Sequence, residues 1–137
     1  MSGNALDVHQ ALGRTFFHAQ DRVKGLDSNL CSPNYIAHIG GNPPMRFADH
    51  ETFAKAFYAA FPDLRHTVED TVADADRVAV RFTLRGTHVK EFMGIPPTNK
   101  SFEIGAIAIL WVADGKVTEL HGQFDQMGMM GQLGVIQ

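Results

Sequence analysis

Residues 77–88, RVAVRFTLRGTH, alternate without a break. Val78, Val80, Phe82 and Leu84 fall on one face, and Arg77, Ala79, Arg81, Thr83 and Arg85 on the other. Successive side chains of a strand point to opposite faces, so this stretch reads as a β-strand with one apolar and one mixed face. More strands surround it. HTVEDTVA (66–73) alternates and ends in a turn over 73–76, and SFEIGAIAILWV (101–112) is a long apolar strand beyond the Pro/Gly loop FMGIPPTNK. The Asp-Gly of ADGK marks a hairpin that leads into a last strand, VTELHGQFD, before a Gly-rich apolar tail.

An apolar sheet face must be covered, and the first half of the chain supplies helices. Over residues 5–20, Val8, Leu12 and Phe16 recur at i, i+4 and i+8, flanked by Leu6, Phe17 and Ala19, which makes one stripe of an amphipathic helix. A short second helix fits 26–31, before Pro33, with Tyr35 and His38 at its end. GGNPPMRF then breaks the chain. A third helix opens at Asp49 as its cap, buries Phe53, Ala56, Phe57, Ala60 and Phe61, and stops at Pro62. Helices followed by antiparallel strands give an α+β class. The expected architecture is a single domain over 1–137. Its N-terminal helices pack on a strongly curved, mainly antiparallel sheet, making a cone-shaped α+β barrel with an internal pocket.

Several function classes fall away. The net charge of −3 and the lack of Lys/Arg clusters between aromatics give no footprint for nucleic acid. No signal peptide and no apolar run of spanning length is present, so a cytoplasmic protein without membrane contact is expected. Cys31 is the only cysteine and reads as a small buried hydrophobe. No H-x-x-x-H pair and no local His/carboxylate cluster occurs, so no metal is expected, and no nucleophile elbow or phosphate loop appears.

The stretch HGQFDQMGMMGQLG contains one acidic side chain, Asp125, among methionines, Leu133 and Phe124. Ionised carboxylates rarely sit in apolar surroundings, which leaves Asp125 as a helix cap, a surface residue or a working acid/base. On a regular strand Glu119, His121, Gln123 and Asp125 share one face, either a polar row in the pocket or the solvated side. Arg81 and Thr83 are candidates to bind substrate if their face looks into the cavity. The other reading pairs the arginines with Glu69 or Glu103 across strands. Met93, Met127 and Met130 suit a flexible apolar wall, or core filler.

The segments YIAH, FPDL, VAVRFTLRGTH, FMGIPPTNK, DGKVTEL and FDQMGMMGQLG, in this order and spacing, resemble the SnoaL-like polyketide cyclase family. That family is part of the nuclear-transport-factor-2-like superfamily of α+β cones, which also holds ketosteroid isomerase. The likeness runs from about residue 6 to 134. It implies cofactor-free acid/base chemistry, an intramolecular aldol closure, with Asp125 at the position of the family's aspartate. It also implies a homodimer formed through the outer face of the sheet. Two departures stand out. Ala108 occupies the place of the cyclases' strand histidine, and His121 lies one residue along from the family's histidine, which flips its face. His38, if turned inward with Tyr35, could donate to a substrate carbonyl in place of the histidine lost at Ala108.

The resulting expectation is a cyclase, isomerase or lyase acting on a small hydrophobic carbonyl compound. Asp125, His121 and His38 are its catalytic candidates, and Tyr35, Arg81, Thr83, Met93, Met127 and Met130 its substrate contacts. The alternatives are a non-catalytic small-molecule binding module, or a hydrolase in which Asp125 activates water.

Overall fold

The structure is a computed structural model and describes residues 4–136. Helix α1 (Ala5–Val23) leads through a single 3₁₀ turn (Ser28–Leu30) into strand β1 (Cys31–Ile39) and the short β2 (Met45–Arg46). Helix α2 (Phe47–Ala60) follows, then β3 (Arg65–Ala73), β4 (Arg77–Thr87), β5 (Ser101–Ala113), β6 (Lys116–Phe124) and a last helix, α3 (Gln126–Leu133). The six strands form one sheet in the order β2-β1-β6-β5-β4-β3. All pairs are antiparallel except β1 with β6. The α+β cone is thus present, but its sheet stays open between β2 and β3 rather than closing into a barrel.

The alternating faces lie as the sequence indicates. Val78, Val80, Phe82 and Leu84 of β4 and Phe102, Ile104, Ala106, Ala108 and Leu110 of β5 point inward and are buried. Asp114 and Gly115 take positive φ (54° and 75°), the hairpin geometry that Asp-Gly permits. A register shift between Trp111 and Val112 of β5 admits one extra residue on β6, so Val117 and Leu120 both face inward while Glu119, His121 and Gln123 face out. The outer face of the sheet exposes Ile107 and Ile109 of β5 and Val72 of β3.

Helix α1 crosses the inner face through Gly13, Phe16, Phe17, Ala19 and Gln20. Leu6 and Val8 of the expected stripe are exposed, while His9 and Gln10, between them and Leu12, reach the backbone of Asp74 and Thr71. Gly13 sets the approach: a Cβ there would lie 2.9 Å from Val80 Cγ2 and 3.1 Å from Val78 Cγ2. Helix α2 begins at Phe47, earlier than expected, with Asp49 in its first turn rather than at the cap, and Ala56 is exposed. The helix expected over 26–31 is only the 3₁₀ turn, and Tyr35 and His38 lie on β1. The thiol of buried Cys31 is pushed up to about 12, first by desolvation and then by nearby Asp27. Among the described residues no helix is long and apolar enough to cross a membrane.

The expected Gly-rich tail is helix α3. Asp125 is its N-cap, accepting from the Gly128 amide at 2.8 Å. Gln132 grips the backbone of Glu103 on β5 from both sides, accepting from its amide at 2.6 Å and donating to its carbonyl at 3.0 Å. Leu133 is buried, and Gly134 closes the helix in the left-handed conformation (φ 78°). Paired residues of β6 end at Phe124, opposite Ala106, so α3 covers the stretch of β5 that β6 leaves open.

Candidate active site

A cavity of about 90 Å³ lies between α1, α2 and the inner face of the sheet. Its walls are aromatic: Phe17 from α1, Phe53 and Phe57 from α2, Phe82 from β4 and Phe124 from β6. Ala108 and Gly122, register partners on β5 and β6, form a smooth floor. The polar residues of this lining are Gln20 of α1, His50 and Tyr58 of α2, His66 of β3 and Gln123 of β6.

His66 is buried between Phe17 and Phe82, with ring centroids 5.5 and 5.2 Å away. Its Nδ1 lies 2.8 Å from Asp21 Oδ1, and its backbone amide donates to Asp21 Oδ2, also at 2.8 Å. Tyr58 donates to Asp21 Oδ1 at 2.6 Å. Burial of Asp21 acts to raise its carboxyl, but the contacts from His66 and the Tyr58 hydroxyl outweigh it and hold the group below the ordinary carboxylate value. Burial and the Asp21 carboxylate push the Tyr58 phenol up, so it keeps its proton and stays a donor. A carboxylate accepts only, so Nδ1 of His66 carries the hydrogen that it gives to Asp21. In the neutral ring that leaves Nε2 as a lone-pair nitrogen.

His50 is arranged differently. Tyr35 is fully buried, and its hydroxyl lies 2.8 Å from His50 Nδ1, with the two rings stacked at 6°. A buried hydroxyl proton needs an acceptor, and Nδ1 is the partner at hand, so Tyr35 donates and His50 holds its own proton on Nε2. Desolvation pushes the His50 imidazole down to about 4, so the ring is neutral at pH 7. The cavity thus has one imidazole presenting a lone pair and one presenting an N–H, each fixed by a partner behind it.

The candidates read from sequence lie elsewhere. Asp125 is exposed, engaged as the cap of α3, and does not line this cavity. With Arg81 and Thr83 it borders an open groove on the outer face of the sheet. Thr83 gives its hydroxyl to Glu69 at 2.6 Å, and Arg85 pairs with Glu103 at 2.9 Å, the cross-strand pairing that sequence allowed. His121 and His38 face outward because Leu120 and Ala37 take the inward positions beside them. His38 therefore cannot replace the histidine missing at Ala108. Tyr35 is fully buried and acts behind His50. Met93 and Met127 are largely exposed, and Met130 packs against the core without lining this cavity; Met129 is the fully buried methionine of α3.

The absence of a His/carboxylate cluster, as read from sequence, is also corrected. His38, Glu119 and His121 gather on the outer face with ligand atoms within 4.8 Å of one another. Sequence reading missed Asp21, His50 and His66, although two signals were available. Asp21 borders the buried stripe of α1, next to Gln20, and His66 shares the inward phase of β3 with Val68.

Comparison with known proteins gives the family. The model of the SnoaL-like polyketide cyclases matches residues 14–133. The crystal structure of AclR, a proposed hydroxylase from Streptomyces galilaeus, superposes with a TM-score of 0.85 at 29% identity, over 96% of this chain and 99% of that one. Wild-type IdmH, a proposed polyketide cyclase from Streptomyces antibioticus, is 31% identical with a TM-score of 0.74, over 93% and 96%. A SnoaL-like protein from Jannaschia sp. CCS1 has a TM-score of 0.85 at 18% identity, over 100% and 99%, a likeness of fold. No curated protein matches at a significant level. The chain belongs to the SnoaL-like polyketide cyclase family, on the α+β cone fold of the nuclear-transport-factor-2-like proteins.

Proposed function

We propose that this protein is an acid/base enzyme of the cyclase type that needs no cofactor and acts on a small, hydrophobic carbonyl compound held in the aromatic cavity. The observation that supports it best is the Asp21–His66 pair. A histidine whose Nδ1 is bonded to a buried-side carboxylate offers Nε2 as a base inside an otherwise apolar chamber. His66 removes a proton from the carbon next to the carbonyl, and Asp21 stabilises the imidazolium that forms. His50, donating from Nε2, receives the negative charge that develops on the carbonyl oxygen. The resulting enolate attacks a second carbonyl, whose oxygen takes the proton held by the His66 imidazolium as the C–C bond forms. Low polarity strengthens both contacts. The roles first given to Asp125 and His121 thus pass to residues of the cavity.

At about 90 Å³ the cavity holds roughly one ring. Pockets for drug-sized ligands measure ~300–1,000 Å³. The reading therefore favours a compact substrate, or one whose remainder emerges past Phe53 and Phe57. Deuterium incorporation from D₂O into cyclohex-2-enone, followed by NMR, tests the proposal. The wild type should speed exchange, and His66→Gln should lower that acceleration by roughly 10²–10⁴. Saturable binding of the ketone without any faster exchange would instead favour the non-catalytic binding module.

A further inference from the structure

A second cluster of chemically capable side chains lies on the opposite face of the sheet, apart from the cavity. His38 of β1 and His121 of β6 are direct register partners on the parallel pair. Their rings stack with centroids 4.3 Å apart and planes 16° apart. Glu119, two residues before His121 on the same face, reaches both: its Oε2 is 2.5 Å from His121 Nε2 and 3.8 Å from His38 Nε2. Among the described residues, these two imidazoles are the only basic groups within 4.0 Å of that carboxylate.

We propose that His38, Glu119 and His121 form a divalent-cation site of the zinc class. Two imidazoles and one carboxylate are a donor set that Zn²⁺ takes, with a fourth position left to water. Metal–ligand bonds of about 2.0–2.2 Å in a tetrahedron put ligand atoms roughly 3.3–3.5 Å apart. The two Glu119 separations, 2.5 and 3.8 Å, lie on either side of that figure, and all three ligand atoms lie within 4.8 Å of one another, so side-chain rotations that unstack the two imidazoles complete the triangle. The side chains are between one third and one half exposed, which leaves the outward position open to water. The backbone needs no rearrangement, since all three residues stand on paired strands in fixed register.

Trp111 makes the site observable. It is the only tryptophan in the chain, and its ring centroid is 5.0 Å from that of His121. Titration of the protein with Co²⁺, whose unfilled d shell quenches indole emission, should give saturable loss of Trp111 fluorescence at one ion per chain. Zn²⁺, with its filled d shell, should reverse the loss by displacement. His38→Gln and Glu119→Gln should each weaken Co²⁺ binding by about tenfold or more, while His9→Gln leaves it at the wild-type value. Both substitutions lie on the half-exposed face, and circular dichroism verifies that each variant is folded. If either fails to fold, His121→Gln with direct zinc calorimetry takes its place, expecting the same loss. Quenching that does not saturate, or saturable quenching unchanged by removal of these side chains, would overturn the assignment.

Discussion

Asp125 and Gly128 form a mechanical unit, and a double-mutant cycle exposes it. The Asp125 side chain accepts the amide of Gly128, the third residue of α3. A Cβ built on Gly128 would lie 2.2 Å from Asp125 Oδ2, so no side chain fits at 128 while the cap is made. Asp125→Ala removes the cap and should cost about 1 kcal/mol. For a chain of this length that lowers Tm by about 3–4 °C. Gly128→Ala expels the carboxylate, losing the same ~1 kcal/mol, but recovers about 0.5–1 kcal/mol of helix propensity. Its net effect should be near zero. In the Asp125→Ala background only the propensity gain remains, and Gly128→Ala should stabilise by about 0.5–1 kcal/mol. The coupling is therefore about 1 kcal/mol, measurable by urea denaturation of the four proteins. Two additive mutations, with Gly128→Ala equally stabilising in both backgrounds, would refute the cap and return Asp125 to the list of free carboxylates.

Other consequences can be checked alongside. His50 folds with a pKa near 4 against 6.5 for the free side chain, so the unfolded chain binds the extra proton first as pH falls. Stability should drop between about pH 6.5 and 4, by up to ~3 kcal/mol, and urea midpoints of a His50→Phe variant should lose that slope. Asp21 acts lower: its depressed carboxyl stabilises above pH 3.8 and loses this contribution only as pH falls through its folded value. Gly13→Ala should cost about 1 kcal/mol despite better helix propensity, because its Cβ meets Val80 and Val78. In a Val80→Ala background the same change should become neutral or stabilising, as read from thermal melts. The homodimer expected from the family resemblance would cover Ile107 and Ile109, exposed on the outer face of β5. Sedimentation should show a dimer that Ile107→Glu dissociates, and a monomeric wild type would end that idea.

Strands β4 and β5 were legible because each buries one face completely, so burial wrote a period of two into the sequence. Strand β1 was not. After Cys31 it runs through Ser32, Pro33 and Asn34, and its main partner is β6, met in parallel through no local turn. Helix α3 was hidden by Gly128 and Gly131, which read as breakers. It persists through its two caps and the grip of Gln132 on Glu103. The family-like segments FMGIPPTNK and FDQMGMMGQLG prove largely architectural in this chain. His88 accepts from the Thr98 amide to fold the first, and the second builds α3. Asp21 and His66 escaped notice because a helix and a strand far apart in sequence bring them together. The position of each on its element hints at burial, but only the fold shows that the two meet.

The central claim is that His66 presents a basic Nε2 to the cavity with Asp21 behind it. The most direct test is a long-range ¹H–¹⁵N NMR spectrum of the histidine rings, with His66 assigned through His66→Gln and cyclohex-2-enone titrated in. The account predicts a His66 ring that keeps its hydrogen on Nδ1, an Nε2 signal that moves as the ketone binds, and loss of that preference in Asp21→Asn. A ring protonated at Nε2, or an Nε2 signal indifferent to the ketone, would contradict it.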